Sequence, residues 1–249
     1  MSSVRECVQA NGVQLSSYVA RPNGATPGRP ALVLCHGFPS ASAVRSAPGQ
    51  TFPELAERLA AETGWTVAAF DARGTGDSTG DFSASGWMAD IAAVVAHLDA
   101  EVGSGVWLAG FGAGGALALV VAAGDTRVRG VATLGAPLVL GAKGPELLAA
   151  ARNLGMFRTP GYPPDPARWL AELAALDPLE AARDLGGRAL LVVHGTDDTE
   201  VPVFEARALA DAAEHVELRM LHGAGSQLRH DPRAIAVLVG WLERQAVAA

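Results

Sequence analysis

The sequence predicts an α/β fold: a mostly parallel central sheet with helices on both faces, an N-terminal β-hairpin and a small helical cap. Three observations lead there. Short apolar runs alternate with segments of helical periodicity along most of the 249 residues, the pattern of a parallel sheet crossed by helices. Ala31-Leu32-Val33-Leu34-Cys35 is apolar throughout, as a strand buried on both faces must be. Asn11-Gly12 separates two β-like runs, a strong signal for a two-residue hairpin turn.

The elements follow in order. Val4 to Ala10 and Val13 to Ala20 are the hairpin strands, and the Pro- and Gly-rich stretch Arg21 to Pro30 is a surface loop. After the strand ending at Cys35 comes His36-Gly37-Phe38-Pro39. Phe52 to Glu62 places Leu55, Leu59 and Ala60 at helical spacing. Trp65 to Phe70 is a strand, Asp71 to Gly80 a glycine-rich loop, and Trp87 to Glu101 a helix with Ile91, Val94, Val95 and Leu98 on one face. Val128 to Leu134 is the next strand. Between residues 138 and 187 six prolines break the rhythm into short helices, and Met156, Phe157, Tyr162 and Trp169 are interleaved among them. About 50 residues bury little core of their own, so this is an insertion over the sheet top within a single domain, 1–249. Strand and helix then resume: Ala189 to His194, Val203 to Ala213, Val216 to Leu221 and Arg233 to Gln245.

Composition narrows the function classes. Hydrophobic residues make up 49% and the net charge is −7, so no basic surface invites nucleic acid or an anionic membrane. No apolar run approaches the length of a membrane span. Cys7 and Cys35 lie in strands and read as small core residues, not a disulfide framework. Met1 to Glu6 has no apolar signal core, and the expected compartment is the cytoplasm. No cofactor or metal pattern stands out, and the oligomeric state is left open.

The stretch that organises the chemistry is Val106 to Leu119. An apolar run enters the turn Gly110-Phe111-Gly112-Ala113-Gly114, and an Ala/Leu-rich helix leaves it. Gly110, Gly112 and Gly115 also spell the dinucleotide pattern G-x-G-x-x-G. That pattern belongs in a first βαβ unit with an acid ending the next strand. Here at least three strands come first, and the next strand ends in Gly135-Ala136-Pro137. The remaining plain reading is a tight strand-to-helix turn that needs small residues for packing.

Several local motifs together resemble the α/β-hydrolase family, closest to its compact esterase and serine-aminopeptidase-like members. Gly110-Phe111-Gly112-Ala113-Gly114 is similar to the nucleophile elbow G-x-S-x-G, with Gly112 where the serine would stand. His36-Gly37-Phe38 resembles the first oxyanion loop. Asp71-x-Arg73-Gly74-x-Gly76-x-Ser78 is a further signature. His194-Gly195-Thr196-Asp197-Asp198-Thr199-Glu200-Val201-Pro202 resembles H-G-x-x-D-x-x-V-P, which makes Asp198 the triad acid. The family's G-A-x-H pattern places its histidine at Ser226.

The resemblance therefore implies a frame with two of three triad positions substituted. Glycine has no nucleophile, and serine no basic nitrogen. His222 and His230 flank Ser226; His222, at a strand end, is the better placed to point into the same space, and His230 reads as a surface or capping residue. Ser40, Ser42 and Ser78 lie on loops, none on an elbow. The oxyanion hole is built from backbone N–H groups, here of Phe38 and Ala113, so it survives the loss of side chains. Asp198 is expected to be solvated or bonded to Ser226. Pocket candidates are His36, Gly37, Phe111, His222 and the cap residues Met156, Phe157, Tyr162 and Trp169. Three functions stay open: a non-hydrolytic protein binding a small acyl or carboxylate ligand or a partner, an enzyme of lyase, isomerase or oxygenase type, and an esterase with a relocated base.

Overall fold

A computed structural model describes residues 2–23, 29–38 and 51–248. The chain forms strands β1 (Ser2–Ala10), β2 (Val13–Arg21), β3 (Ala31–Cys35), β4 (Thr66–Phe70), β5 (Val106–Phe111), β6 (Val128–Leu134), β7 (Ala189–Gly195) and β8 (Val216–Leu221). The helices are α1 (Phe52–Thr63), α2 (Ala84–Val102), α3 (Ala113–Gly124), α4 (Gly144–Asn153), α5 (Pro166–Ala174), α6 (Pro178–Asp184), α7 (Val203–Ala212) and α8 (Pro232–Ala248). All eight strands join one sheet in the order β1-β2-β4-β3-β5-β6-β7-β8. β1 and β2 pair antiparallel around Asn11-Gly12, β2 runs antiparallel to β4, and every later pair is parallel. This is the predicted fold class, an α/β-hydrolase fold with an N-terminal hairpin.

Alternation along the strands divides the core in two. Val33, Leu108 and Val131 face a layer formed by α2, α3 and α7, through residues such as Trp87, Leu117 and Leu209. Leu32, Leu34, Trp107 and Ala109 face the other layer, where α1 and α8 supply Leu59 and Trp241. Successive strand side chains point to opposite faces, so five-residue β3 can be buried at every position.

Local chemistry sets the helix boundaries. Thr51 caps α1: its side chain accepts from Glu54 N, and Glu54 Oε2 accepts from Thr51 N at 2.8 Å, a reciprocal capping box. Ser83 caps α2 by accepting from Gly86 N at 3.0 Å, without a reciprocal bond, so this helix begins three residues before the predicted Trp87.

The insertion between β6 and β7 supplies the short helices α4, α5 and α6. Among element contacts, α6 lies against α3 and α7, and α5 against α2. Trp169 donates its indole N–H to Phe82 O at 3.0 Å and packs edge-on to the Phe82 ring. The insertion is thereby tied to the helix layer of one sheet face.

Parallel register aligns the C-terminal ends of the strands. Cys35 pairs with Gly110, Phe111 with Leu134, and Leu134 with Val193. The loops leaving β3, β5, β6, β7 and β8 therefore emerge side by side, the place where parallel α/β sheets carry their sites.

Candidate active site

The turn between β5 and α3 is built by glycines with different jobs. A Cβ on Gly110 would sit 2.4 Å from Gly114 O, and one on Gly114 would sit 2.4 Å from the carbonyl oxygens of Cys35 and His36. Both positions need hydrogen because backbone passes within contact distance. Gly112 differs. It adopts φ 54° and ψ −129°, and a Cβ built there meets no atom of the described residues within 4 Å. Among the described residues, only the backbone conformation of Gly112 opposes a side chain there.

The loop after β3 is laid onto this turn. A Cβ on Gly37 would lie 2.8 Å from Phe111 O and 3.5 Å from Ala113 N, so Gly37-Phe38 passes directly over the start of α3. No side chain caps α3, and its positive end and early N–H groups are therefore left for whatever lies outside.

His36 locks this loop. Its Nε2 accepts from Ala72 N at 3.1 Å, so the ring is neutral with its proton on Nδ1, which donates to Gly37 O at 3.0 Å. Burial pushes its pKa below the ordinary histidine range. With both nitrogens committed, His36 braces the β3 loop against the loop after β4.

The loop Asp71 to Gly80 is likewise structural. Arg73 pairs with fully buried Asp90 at 2.6 Å, and Trp87 Nε1 donates to Arg73 O at 2.9 Å. Ser78 Oγ donates to Asp71 O at 2.6 Å and accepts from Ser16 N at 2.9 Å. Ser78 ties the hairpin to this loop and has no spare role as a nucleophile. Ser40 and Ser42 lie outside the described residues.

Asp198 follows β7. Its side chain is completely covered, contrary to the expected solvated or Ser226-bonded group. Oδ1 accepts from the N–H groups of Glu200 at 2.8 Å and Val201 at 3.0 Å. Oδ2 is buried with no hydrogen-bond partner among the described residues. That oxygen and Ser226 O lie 3.7 and 3.8 Å from the point where a Gly135 Cβ would be. The loop carrying Ser226 is held close because a Cβ on Gly195 would collide with Ala224 O at 2.2 Å.

A cavity of about 730 Å³ opens over these strand ends. His36, Gly37, Phe38, Phe111, Gly112 and Ser226 line it. His222 does not: it is exposed at the end of β8, outside the cavity. His230, read from the sequence as a surface or capping residue, lines the cavity instead, at the end of the 3₁₀ turn Leu228–His230. Its Nε2 accepts from Arg229 Nη2 at 2.9 Å, and burial together with Arg229 lowers its pKa. Met156, Phe157, Tyr162 and Trp169 are not cavity lining among the described residues. Phe157 stacks on the Phe82 ring at 6.4 Å, Trp169 meets Phe82 edge-on, Tyr162 packs on Phe157, and Met156 is buried.

Sequence reasoning missed Tyr18, Phe52, Phe70 and Arg229, all of which line the cavity. The guanidinium carbon of Arg229 lies 4.7 Å from the centroid of the Phe52 ring. Arg229 and His230 occupy the same loop as Ser226, and that proximity was the available signal. No group of His, Cys, Asp and Glu among the described residues is arranged to hold a metal, and no described helix is long and apolar enough to cross a membrane.

The sequence profile of the alpha/beta hydrolase fold matches residues 30–156, half of the chain and the part that carries β3, the glycine turn and α3. The chain belongs to the α/β-hydrolase fold family. Solved α/β-hydrolases of similar shape include Est1E from Butyrivibrio proteoclasticus with bound ferulic acid. It is 18% identical, with 98% of this chain and 100% of that chain covered and a TM-score of 0.73. The esterase domain of a Rhodothermus marinus protein is 23% identical over 99% and 98% of the two chains, with a TM-score of 0.70. A meta-cleavage product hydrolase from Pseudomonas fluorescens is 20% identical over 96% and 98%, with a TM-score of 0.68. A search of curated protein sequences finds no match. At these identities the likeness is one of fold.

Proposed function

We propose that this α/β-hydrolase is a non-hydrolytic member of its family, whose cavity binds a small acyl or carboxylate ligand. The observation that carries the reading is the open space over Gly112. The turn holds the torsion angles of a strained elbow and leaves room for a side chain, yet presents only hydrogen. Ser226 and the orphaned Oδ2 of Asp198 complete the picture: an acid without an imidazole to orient. Gly112, Asp198 and Ser226 thus stand at the nucleophile, acid and base positions of a triad reduced to its acid.

Support for ligand binding comes from what does not need those side chains. The backbone N–H groups of Phe38 and Ala113 are the candidate oxyanion hole, and the uncapped start of α3 favours negative charge. The proposal keeps one domain, 1–249, acting in the cytoplasm without a resident metal or cofactor.

The test uses a fluorophosphonate probe, short p-nitrophenyl esters and a series of carboxylates. We expect no labelling, no turnover above buffer, and a melting temperature that rises with carboxylate concentration. Stoichiometric labelling or ester turnover would show a working nucleophile and overturn the proposal.

A further inference from the structure

We infer that the preferred ligand carries its carboxylate on a planar aromatic group; this deepens, and rests on, the carboxylate-binding reading above. The chain has only seven phenylalanines, and four of them, Phe38, Phe52, Phe70 and Phe111, line this one cavity. They converge from both sides of the sheet. Phe38 and Phe70 belong with the core layer of α2 and α3, whereas Phe52 and Phe111 belong with that of α1 and α8. Leucine is abundant in both layers, yet among the described residues only Leu134 and Leu228 reach the cavity. A slot for an aliphatic chain would not need this concentration of rings.

The rings are also arranged to recognise another ring. Phe52 meets Phe111 edge-to-face at 5.6 Å, and neutral His36 lies T-shaped to Phe52 at 6.1 Å. Such arrangements reward the quadrupole of an added aromatic ring beyond the area it buries, a gain a saturated ring does not obtain. The Arg229 guanidinium sits over the Phe52 ring and lines the same cavity, so a cation lies beside the aromatic wall. One molecule can then place a ring among the phenylalanines and a carboxylate at the start of α3, where Gly112 lines the cavity. The volume of about 730 Å³ suits an aromatic acid of moderate size.

Titration calorimetry on the intact protein separates the parts, using 3-phenylpropionate, 3-cyclohexylpropionate and 3-phenylpropionamide. The phenyl acid is expected to bind about tenfold tighter than the cyclohexyl acid, although the latter is the more hydrophobic. Phe52→Leu, with folding checked by circular dichroism, should bring that ratio close to one. Equal or tighter binding of the cyclohexyl acid would overturn the aromatic inference and leave the carboxylate reading standing. An amide binding as tightly as its acid would overturn the carboxylate reading. Binding of neither acid would overturn both.

Discussion

Asp198 and His194 approach to 3.9 Å inside the protein without sharing a hydrogen bond. The histidine Nε2 lies 3.0 Å from Val201 O, and a carbonyl can only accept, so Nε2 carries the proton and gives it there. The nearest imidazole is therefore turned to the backbone, and Asp198 Oδ2 keeps an unfilled acceptor in a covered place. A buried polar atom without a partner costs about 1–3 kcal/mol and calls for a reason. On the function proposed above, the reason is that Asp198 stands as a triad acid without its histidine.

Replacing Asp198 separates its two oxygens. Asp198→Asn keeps an acceptor for the N–H groups of Glu200 and Val201 and removes a buried charge. We expect its stability to equal or exceed that of the wild type. Asp198→Ala abandons both N–H groups and should cost about 1–3 kcal/mol. Urea denaturation measures both, and an Asn variant as unstable as the Ala variant would contradict the assignment.

Glycines at the turn should rank by their surroundings. Gly112→Ala meets open space and costs only its positive φ, about 1–3 kcal/mol. Gly110→Ala and Gly114→Ala drive a Cβ into backbone and should cost about 3 kcal/mol or more. If Gly112→Ala proves the most damaging of the three in denaturation midpoint, the space above it is not free.

Breaking the pair beneath the site loop should be severe. Asp90 is fully buried, and Arg73→Ala leaves its side chain with the single backbone N–H of residue 73. The expected cost is about 3–5 kcal/mol, read by urea denaturation. A loss under about 1 kcal/mol would show that Arg73 does not hold the loop.

His36 gives a pH dependence with a definite sign. Its folded pKa lies below the ordinary 6.5, so near that pH the unfolded chain binds more protons. Its contribution is full above about 6.5 and is lost as pH falls from there through the folded pKa. Protonation would also set a second N–H against that of Ala72. His36→Gln should flatten the pH slope of stability between neutral pH and pH 5, and an unchanged slope would assign the acid sensitivity elsewhere.

Most of the frame was legible in the sequence because its signals are local. Apolar runs marked β3 and β5, Asn11-Gly12 marked the hairpin, and the Gly112 turn was visible as punctuation between strand and helix. The cavity was less legible because its wall is assembled from distant segments. Tyr18, Phe52, Phe70 and Arg229 meet only after the sheet is ordered, and no periodicity links them. The exchange of His222 for His230 came from a 3₁₀ turn, which gives little signal in sequence. The interleaved apolar residues of 138–187 read equally as pocket lining or as ordinary packing, because apolar rings serve either purpose, and Phe157 and Trp169 bury against Phe82.

The central claim is that Gly112 and Ser226 are emptied positions in an otherwise intact frame, and kcat for p-nitrophenyl acetate in three variants tests it most directly. Triad members act as a unit, and losing the serine or the histidine alone costs on the order of 10⁶ in kcat in a serine protease. Gly112→Ser and Ser226→His should therefore each remain silent. The double variant Gly112→Ser/Ser226→His should hydrolyse the ester, weakly, since about 1 Å of misplacement costs about 10²-fold. Adding Asp198→Asn should then lower the rate steeply. A folded but silent double variant would contradict the account. So would a fully active Gly112→Ser, which would make a histidine already in the cavity wall, His230, the base.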